Sequence, residues 1–259
     1  MTLEIGKLGR VEPASDDVRT RSRLARALPA SALIPPRSYP AGPPDRDYLG
    51  DEDYPWFLND RLGCCTITGI AHYLVAAARQ RGVTITITDD DIRTAYSRAT
   101  GYIPGRPETD RGGQCINALV VARNEGIGGH KIGGFARVDM TDKLQVEAMI
   151  NLTGPLFVGS DLPKRIESQP DEWFRPPLEE RTVADKPRSL GGHAYLYGGY
   201  NHRKIKALPW RKRVDQRWDW SFSYTDEGWA LFDKHWVDGD CPTPSGFPLE
   251  RLRQYLASL

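Results

Sequence analysis

Apolar residues recur at helical spacing over one long stretch of the chain. Ile67, Ile70, Ala71, Leu74, Ala77 and Ala78 predict a helix from Cys65 to about Gln80, with Gly82 as its stop. This helix is apolar around much of its girth, so it is expected to be buried. A second helix is predicted from about Ile92 to Thr100, capped by the acidic run Asp89, Asp90 and Asp91, and a third from about Ile116 to Asn124, stopped by Gly126. A fourth starts at Thr141 or Asp142 and runs to about Leu152, where Gly154-Pro155 breaks it. β-Branched or aromatic runs predict strands at Val83 to Thr88, Phe135 to Val138, Leu156 to Gly159, Ala194 to Tyr200, Trp218 to Tyr224 and Gly228 to Phe232. Trp236 to Cys241 exits into a proline-rich turn, and Leu249 to Leu256 reads as a terminal helix. Helices come mainly first and antiparallel strands after them. The order predicts an α+β fold of two lobes, a helical one and a β one, with a cleft between.

Residues 1 to about 50 interrupt this pattern. Pro13, Pro29, Pro35, Pro36, Pro40, Pro43 and Pro44 forbid any long element, and only Asp16 to Leu28, basic through Arg19, Arg21, Arg23 and Arg26, reads as helical. This segment is expected to be an extended arm lying on the domain or on a protein partner, either as a plain tether or as an inhibitory or assembly element. The division is therefore an arm over 1–50, a domain over 51–241 and a tail with a short helix over 242–259. The polar connection over 161–189 is long enough to be a lid or binding loop.

Composition excludes more than it suggests. A formal net charge of +1 gives no electrostatic case for nucleic acid or an anionic membrane. No apolar run reaches the roughly 18 residues of a membrane span, and Met1 to Arg10 lacks the apolar core of a signal peptide, so a cytoplasmic location is expected. Cysteines 64, 65, 115 and 241 do not form a disulfide framework and include no Cys-x-x-Cys, so neither staples nor zinc are expected. The acidic triplet is better explained as a cap than as a metal loop. Gly126 to Phe135 lacks the register of a dinucleotide-binding turn. No cofactor is expected.

Candidate chemistry lies where Asn59-Asp60-Arg61-Leu62-Gly63-Cys64-Cys65-Thr66 runs into the first helix. Free N–H groups and the positive end of the dipole favour a thiolate there. Two adjacent cysteines project about 100° apart on a helix, so one faces a cleft and the other packs. His72, two turns along, is too far from Cys65 for proton transfer and reads as a structural histidine. The other candidate base is in Gly191-Gly192-His193-Ala194, at the start of a predicted strand. A lone cysteine or a lone Gly-Gly-His is more often structural; here they occur together with Asn59 and the Gly112-Gly113 pair. Cys115 and Cys241 read as packing residues.

On these residues the chain resembles the papain-like cysteine peptidases, nearest the divergent bacterial and phage forms with Asn-Asp-x-x-Gly-x-Cys-Thr. The resemblance covers roughly residues 54 to 240. It implies Cys65 as nucleophile, six residues after an Asn59 amide that lines an oxyanion hole, and His193 as base. It also implies that Gly112 and Gly113 bind substrate backbone. The family's Cys-Gly-Ser-Cys-Trp motif and its nearby disulfide are absent. Its Asn-Ser-Trp-Gly motif is absent too, which leaves Asp219, counted back from Gly228-Trp229, or Gln216, before Trp218, to orient the imidazole. Asp219 is the preferred choice. The implied activity is hydrolysis of peptide or amide bonds in a peptide or protein substrate. The altered third position and the arm leave room for an inactive papain-fold module in a larger assembly such as a phage particle, and a thioester could also pass to an amine.

Overall fold

The computed structural model describes residues 3–12, 27–34, 38–39 and 42–239, together with 243, 245, 249–250 and 253–254. Cys241 lies outside the described residues, as does the predicted helix over Asp16–Leu28 except for its last two residues, which are not helical, and the predicted terminal helix lies largely outside them.

The helical lobe is built on α1 (Cys65–Gln80), α2 (Asp89–Thr100) and α3 (Cys115–Asn124). Helix α1 has the bounds its periodicity predicts, and nearly all its residues are buried, from Cys65 through Ala78. Helix α2 starts earlier than expected. Thr88 is its cap, in a capping box with Asp91, so the acidic triplet forms the first turn rather than the cap. Helix α4 (Lys143–Thr153) begins at Asp142, whose side chain accepts from Gln145 N–H.

The β lobe is a mainly antiparallel sheet. Its strands are β1 (Asp45–Asp47), β2 (Ile132–Arg137), β3 (Leu156–Leu162), β4 (Glu172–Trp173), β5 (Gly191–Asn201), β6 (Lys204–Leu208), β7 (Val214–Arg217) and β8 (Thr225–Asp233). The order is β2-β8-β3-β5-β6-β7-β4, with β1 added to β5. Strand β5 alternates its faces as a strand must. Ala194 and Leu196 join the core around α1, whereas Tyr195 and Tyr197 join the core inside the sheet with Trp173, Trp210 and Trp220. The expected two-lobed α+β architecture is therefore present, with β5 as the wall between two cores.

Two expected strands do not form. Val83 to Thr88 is not a strand of the sheet: alternation favours an extended shape without supplying a partner. Trp218 to Tyr224 is not a strand but a short helix, α5 (Trp218–Tyr224). Its buried residues Trp218, Trp220, Ser221 and Tyr224 cover one helical face, and packing of the tryptophans on the sheet overrides their strand propensity. Lys234–Asp238 forms a final turn, α6, capped by Asp233. Strands β6 and β7 follow the polar hairpin sequence 201–217, whose alternation is masked by charged residues on the outer face.

His72 is packed, as expected. It is buried between Tyr54 and Phe57, its Nε2 bonds the Pro55 carbonyl, and burial lowers its pKa from 6.5 to about 4. His193 is held down to about 4 by the same cause. Both imidazoles take up protons more readily in the unfolded chain, so their contribution is complete above about pH 6.5 and is lost as pH falls toward about 4. Each should tilt stability by about 1.4 kcal/mol per pH unit across that window. Unfolding free energies measured from pH 7 to pH 4.5 should fall accordingly, and His72→Gln should remove about half of the histidine-dependent slope whatever it does to stability at pH 7.

Candidate active site

The turn before α1 is wound tightly. Phe57 and Leu58 are consecutive non-glycine residues in left-handed backbone conformations, with φ of 47° and 63°. Such a pair is costly and persists only where its surroundings hold it. Here the Phe57 carbonyl accepts from the Thr68 hydroxyl at 3.0 Å and from the Cys64 thiol at 3.5 Å, and the Leu58 carbonyl accepts from the N–H groups of Arg61 and Leu62. The turn delivers Asn59, which is buried, and its Nδ2 donates to the carbonyls of Lys7 at 2.7 Å and Leu62 at 3.1 Å. Cys64 caps α1 and faces inward with its pKa pushed by burial to about 12, so it packs as expected.

Cys65 opens α1 and is fully buried. Burial pushes its thiol up to about 11, against the opposing pull of backbone N–H groups of Ala194 and Gly9 and the charge of Arg10. The structure thus brings the first turn of α1 against β5, at the residue next to His193. His193 is also fully buried; its ring stacks on Trp210, with centroids 4.6 Å apart, and on Tyr195. Its Nε2 bonds the Pro209 carbonyl. A carbonyl only accepts, so Nε2 carries the proton and Nδ1 is left with its lone pair. Nδ1 is buried and has no hydrogen-bond partner.

The imidazole is bonded to neither of the two side chains expected to orient it. The Asp219 carboxylate accepts from the N–H of Trp220 at the start of α5. Gln216 is buried in the sheet core, and its Nε2 donates to the Tyr195 hydroxyl at 3.1 Å. The partner is a main-chain carbonyl in Leu208-Pro209-Trp210, and Trp210 covers the bond. The tryptophan stacked on the histidine is Trp210, not Trp218 or Trp229.

The cleft is occupied by the chain's own N-terminal segment. Gly6 to Val11 crosses it, bonded to both walls. Lys7 N–H donates to the Asn59 carbonyl at 2.6 Å, and Gly9 and Arg10 N–H groups donate to the Gly192 carbonyl at 3.3 and 3.0 Å. On the opposite wall Gly113 N–H donates to the Gly9 carbonyl at 2.7 Å, and Val11 N–H donates to the Gly113 carbonyl at 2.9 Å. Gly113 thus binds extended backbone, while Gly112 makes the left-handed turn before it and donates to the Tyr96 hydroxyl. Gly9 lies so close to Gly63 that a Cβ there would fall 1.9 Å from the Gly63 carbonyl oxygen. Asp110, which the sequence did not single out, ties these parts together. It accepts from Lys7 Nζ at 2.6 Å, from Tyr96 Oη at 2.7 Å and from Gly63 N–H at 3.1 Å. Burial works against its charge, but these bonds prevail and hold its pKa below the usual carboxylate value.

No family profile matches the sequence, and no curated protein does. Solved structures do. Xylellain, a cysteine protease from Xylella fastidiosa, superposes with a TM-score of 0.63 at 15% identity, over 90% of this chain and 99% of that one. The Carica candamarcensis cysteine protease CMS1MS2 gives 0.52 at 14% identity over 74% and 99% of the two chains. ProCathepsin B S9 from Trypanosoma congolense gives 0.54 at 9% identity over 88% and 86%. The fold is that of the papain-like cysteine proteases. No helix among the described residues is long and apolar enough to cross a membrane, and no cluster of metal-ligating side chains occurs among them.

With the arm docked, the thiol titrates near 11 and the imidazole near 4, so both are neutral at pH 7. Iodoacetamide should label Cys65 of the intact protein slowly at pH 7, and faster as pH rises toward 11. Gly9→Val, which clashes with Gly63, should accelerate labelling at pH 7 by at least about tenfold. Arg10→Glu should do the same by charge repulsion. Peptide mass spectrometry at Cys65 provides the readout.

Proposed function

We propose that the protein is a thiol-dependent hydrolase of peptide or amide bonds, held latent by its N-terminal arm. The observation that carries this reading is the buried, unpartnered Nδ1 of His193 on the strand whose next residue, Ala194, offers its N–H to the Cys65 sulfur. Once the arm leaves and water enters, the burial that keeps both groups neutral is relieved. Nδ1 then takes the thiol proton, the dipole of α1 favours the thiolate, and the thiolate attacks a substrate carbonyl. The Asn59 amide, which already holds the carbonyl of Lys7, donates to the oxyanion, a contact typically worth about 3 kcal/mol of barrier. The imidazolium protonates the leaving amine, and His193 then activates water to hydrolyse the thioester. The Pro209 carbonyl keeps the tautomer and orientation required. Gly113 pairs with substrate backbone as it pairs with the arm. That matched structures include a proCathepsin B and a pollen cysteine protease in its proform supports the latent reading.

A second reading rests on the same carbonyl. A neutral oxygen stabilises an imidazolium less than a carboxylate would, and a site so equipped could serve only as a binding module in an assembly, as in a phage particle. Turnover separates the two. Full-length Gly9→Val should hydrolyse unstructured peptides, and adding Cys65→Ala or His193→Ala should lower the rate by at least about 10³-fold while the circular dichroism spectrum is kept. Unchanged turnover in the Cys65→Ala chain would sink the hydrolase, and an arm-released chain with no turnover on any peptide would favour the module.

A further inference from the structure

The arm does more than cover Cys65: it inserts a cation into the wall of the cleft. Arg10 follows the residue whose N–H meets the thiol. Its backbone lies between Gly192 and Gly113, and its side chain turns down until the residue is only 3% exposed. There Nη2 lies 2.6 Å from Asp226 and 3.3 Å from Glu227, and Nη1 lies 3.2 Å from Asp161. Burial opposes the charge, yet Cys115, Glu227 and Asp226 around it raise its pKa above the ordinary guanidinium value.

Two of the three carboxylates have partners besides Arg10. Glu227 is fixed by the indole N–H of Trp229 at 2.9 Å, and Asp161 by Arg188 at 2.8 Å. The guanidinium passes over Gly159, where a Cβ would stand 2.3 Å from Arg10 Nε, so a side chain there would close the entrance. Asp161 and Gly159 come from β3 and Asp226 and Glu227 from β8, far from Arg10 in sequence. With the arm gone, Asp161, Asp226 and Glu227 lose Arg10, and Asp161 keeps Arg188. Asp161 and Glu227 are largely buried and need a partner that an apolar side chain would not supply, while Asp226 stands at the open side of the pocket.

We propose that this is a specificity pocket of the cleft, selecting peptides that carry a basic side chain close to the bond that is cut, with arginine favoured over lysine. The inference rests on the hydrolase reading for its substrate and on the Arg10 geometry for its chemistry. Arginine is favoured because its planar fork can meet carboxylates on two sides at once, as Arg10 does, whereas an ammonium is a single point charge. Arg10 occupies the pocket as a stand-in for the substrate's side chain.

The test uses the full-length Gly9→Val chain, with release of the arm verified by Cys65 labelling. Internally quenched peptides that vary one position among Arg, Lys, Leu and Glu are offered, and cut sites are mapped by mass spectrometry. Peptides with Arg beside the cut should exceed their Leu counterparts in kcat/KM by at least about tenfold. In Asp226→Asn/Glu227→Gln that ratio should collapse toward one. A preference for Leu, or an Arg preference that survives the double substitution, overturns the proposal. Binding of a dye-labelled peptide with the sequence of residues 3–12, and of its Arg10→Leu form, is measured in parallel by fluorescence anisotropy. If no peptide is cut, the hydrolase reading fails and the anisotropy alone decides the pocket. At least about tenfold weaker binding of the Leu form, abolished in the double variant, retains basic selectivity, and equal binding of the two peptides rejects it.

Discussion

The contact between the first turn of α1 and strand β5 is the constraint on which the site depends. It forces a helix N-terminus, with its free N–H groups, against a strand whose alternate residues belong to different cores. Ala194 faces the helix and Tyr195 faces the sheet interior. His193 shares the Tyr195 face, which is why its ring stacks on Tyr195 and Trp210 and finds a main-chain carbonyl there. Cys65 comes from the helical lobe and His193 from the β lobe, and both lie dry and fully buried at this seam. The same dryness keeps both groups uncharged.

Around the seam, a few polar groups do the positioning. Asp110 links the loop before α1, the tyrosine of α2 and a lysine of the arm through one carboxylate. The left-handed pair Phe57–Leu58 brings Asn59 back over the start of α1. These arrangements are costly in isolation, and each is held by a partner distant in sequence. The cleft is thus shaped by long-range contacts laid over a locally well-specified helical lobe.

How much of this could be read from the residues follows from the range of each interaction. Helix α1, its cysteine and the packed His72 follow from local periodicity and spacing. Asn59 and Gly113 could be singled out as candidates because they sit at fixed offsets from a cysteine and a helix start. The carbonyl bonded to His193 could not, because a peptide carbonyl belongs to every residue and leaves no mark on the sequence. Trp218 to Tyr224 misled because an aromatic run is as apt for a short buried helix as for a strand. The Arg10 pocket was out of reach for another reason. Its carboxylates are separated from the arginine by between 151 and 217 positions, and nothing in a string of residues says that the arm threads the cleft.

The covalent attachment of the arm has a consequence for control. A segment tethered to the site it fills acts at an effective concentration on the order of millimolar, whatever the amount of protein present. An arm whose free peptide bound with a dissociation constant of about 10 μM would then keep the cleft closed about 99% of the time. Dilution would not open it, and a competing peptide would have to reach similar millimolar levels. Such a device answers to events that change the chain itself or pull on it: a cut between the arm and the domain, which turns a tethered ligand into a diffusing one, or a partner that captures the arm elsewhere.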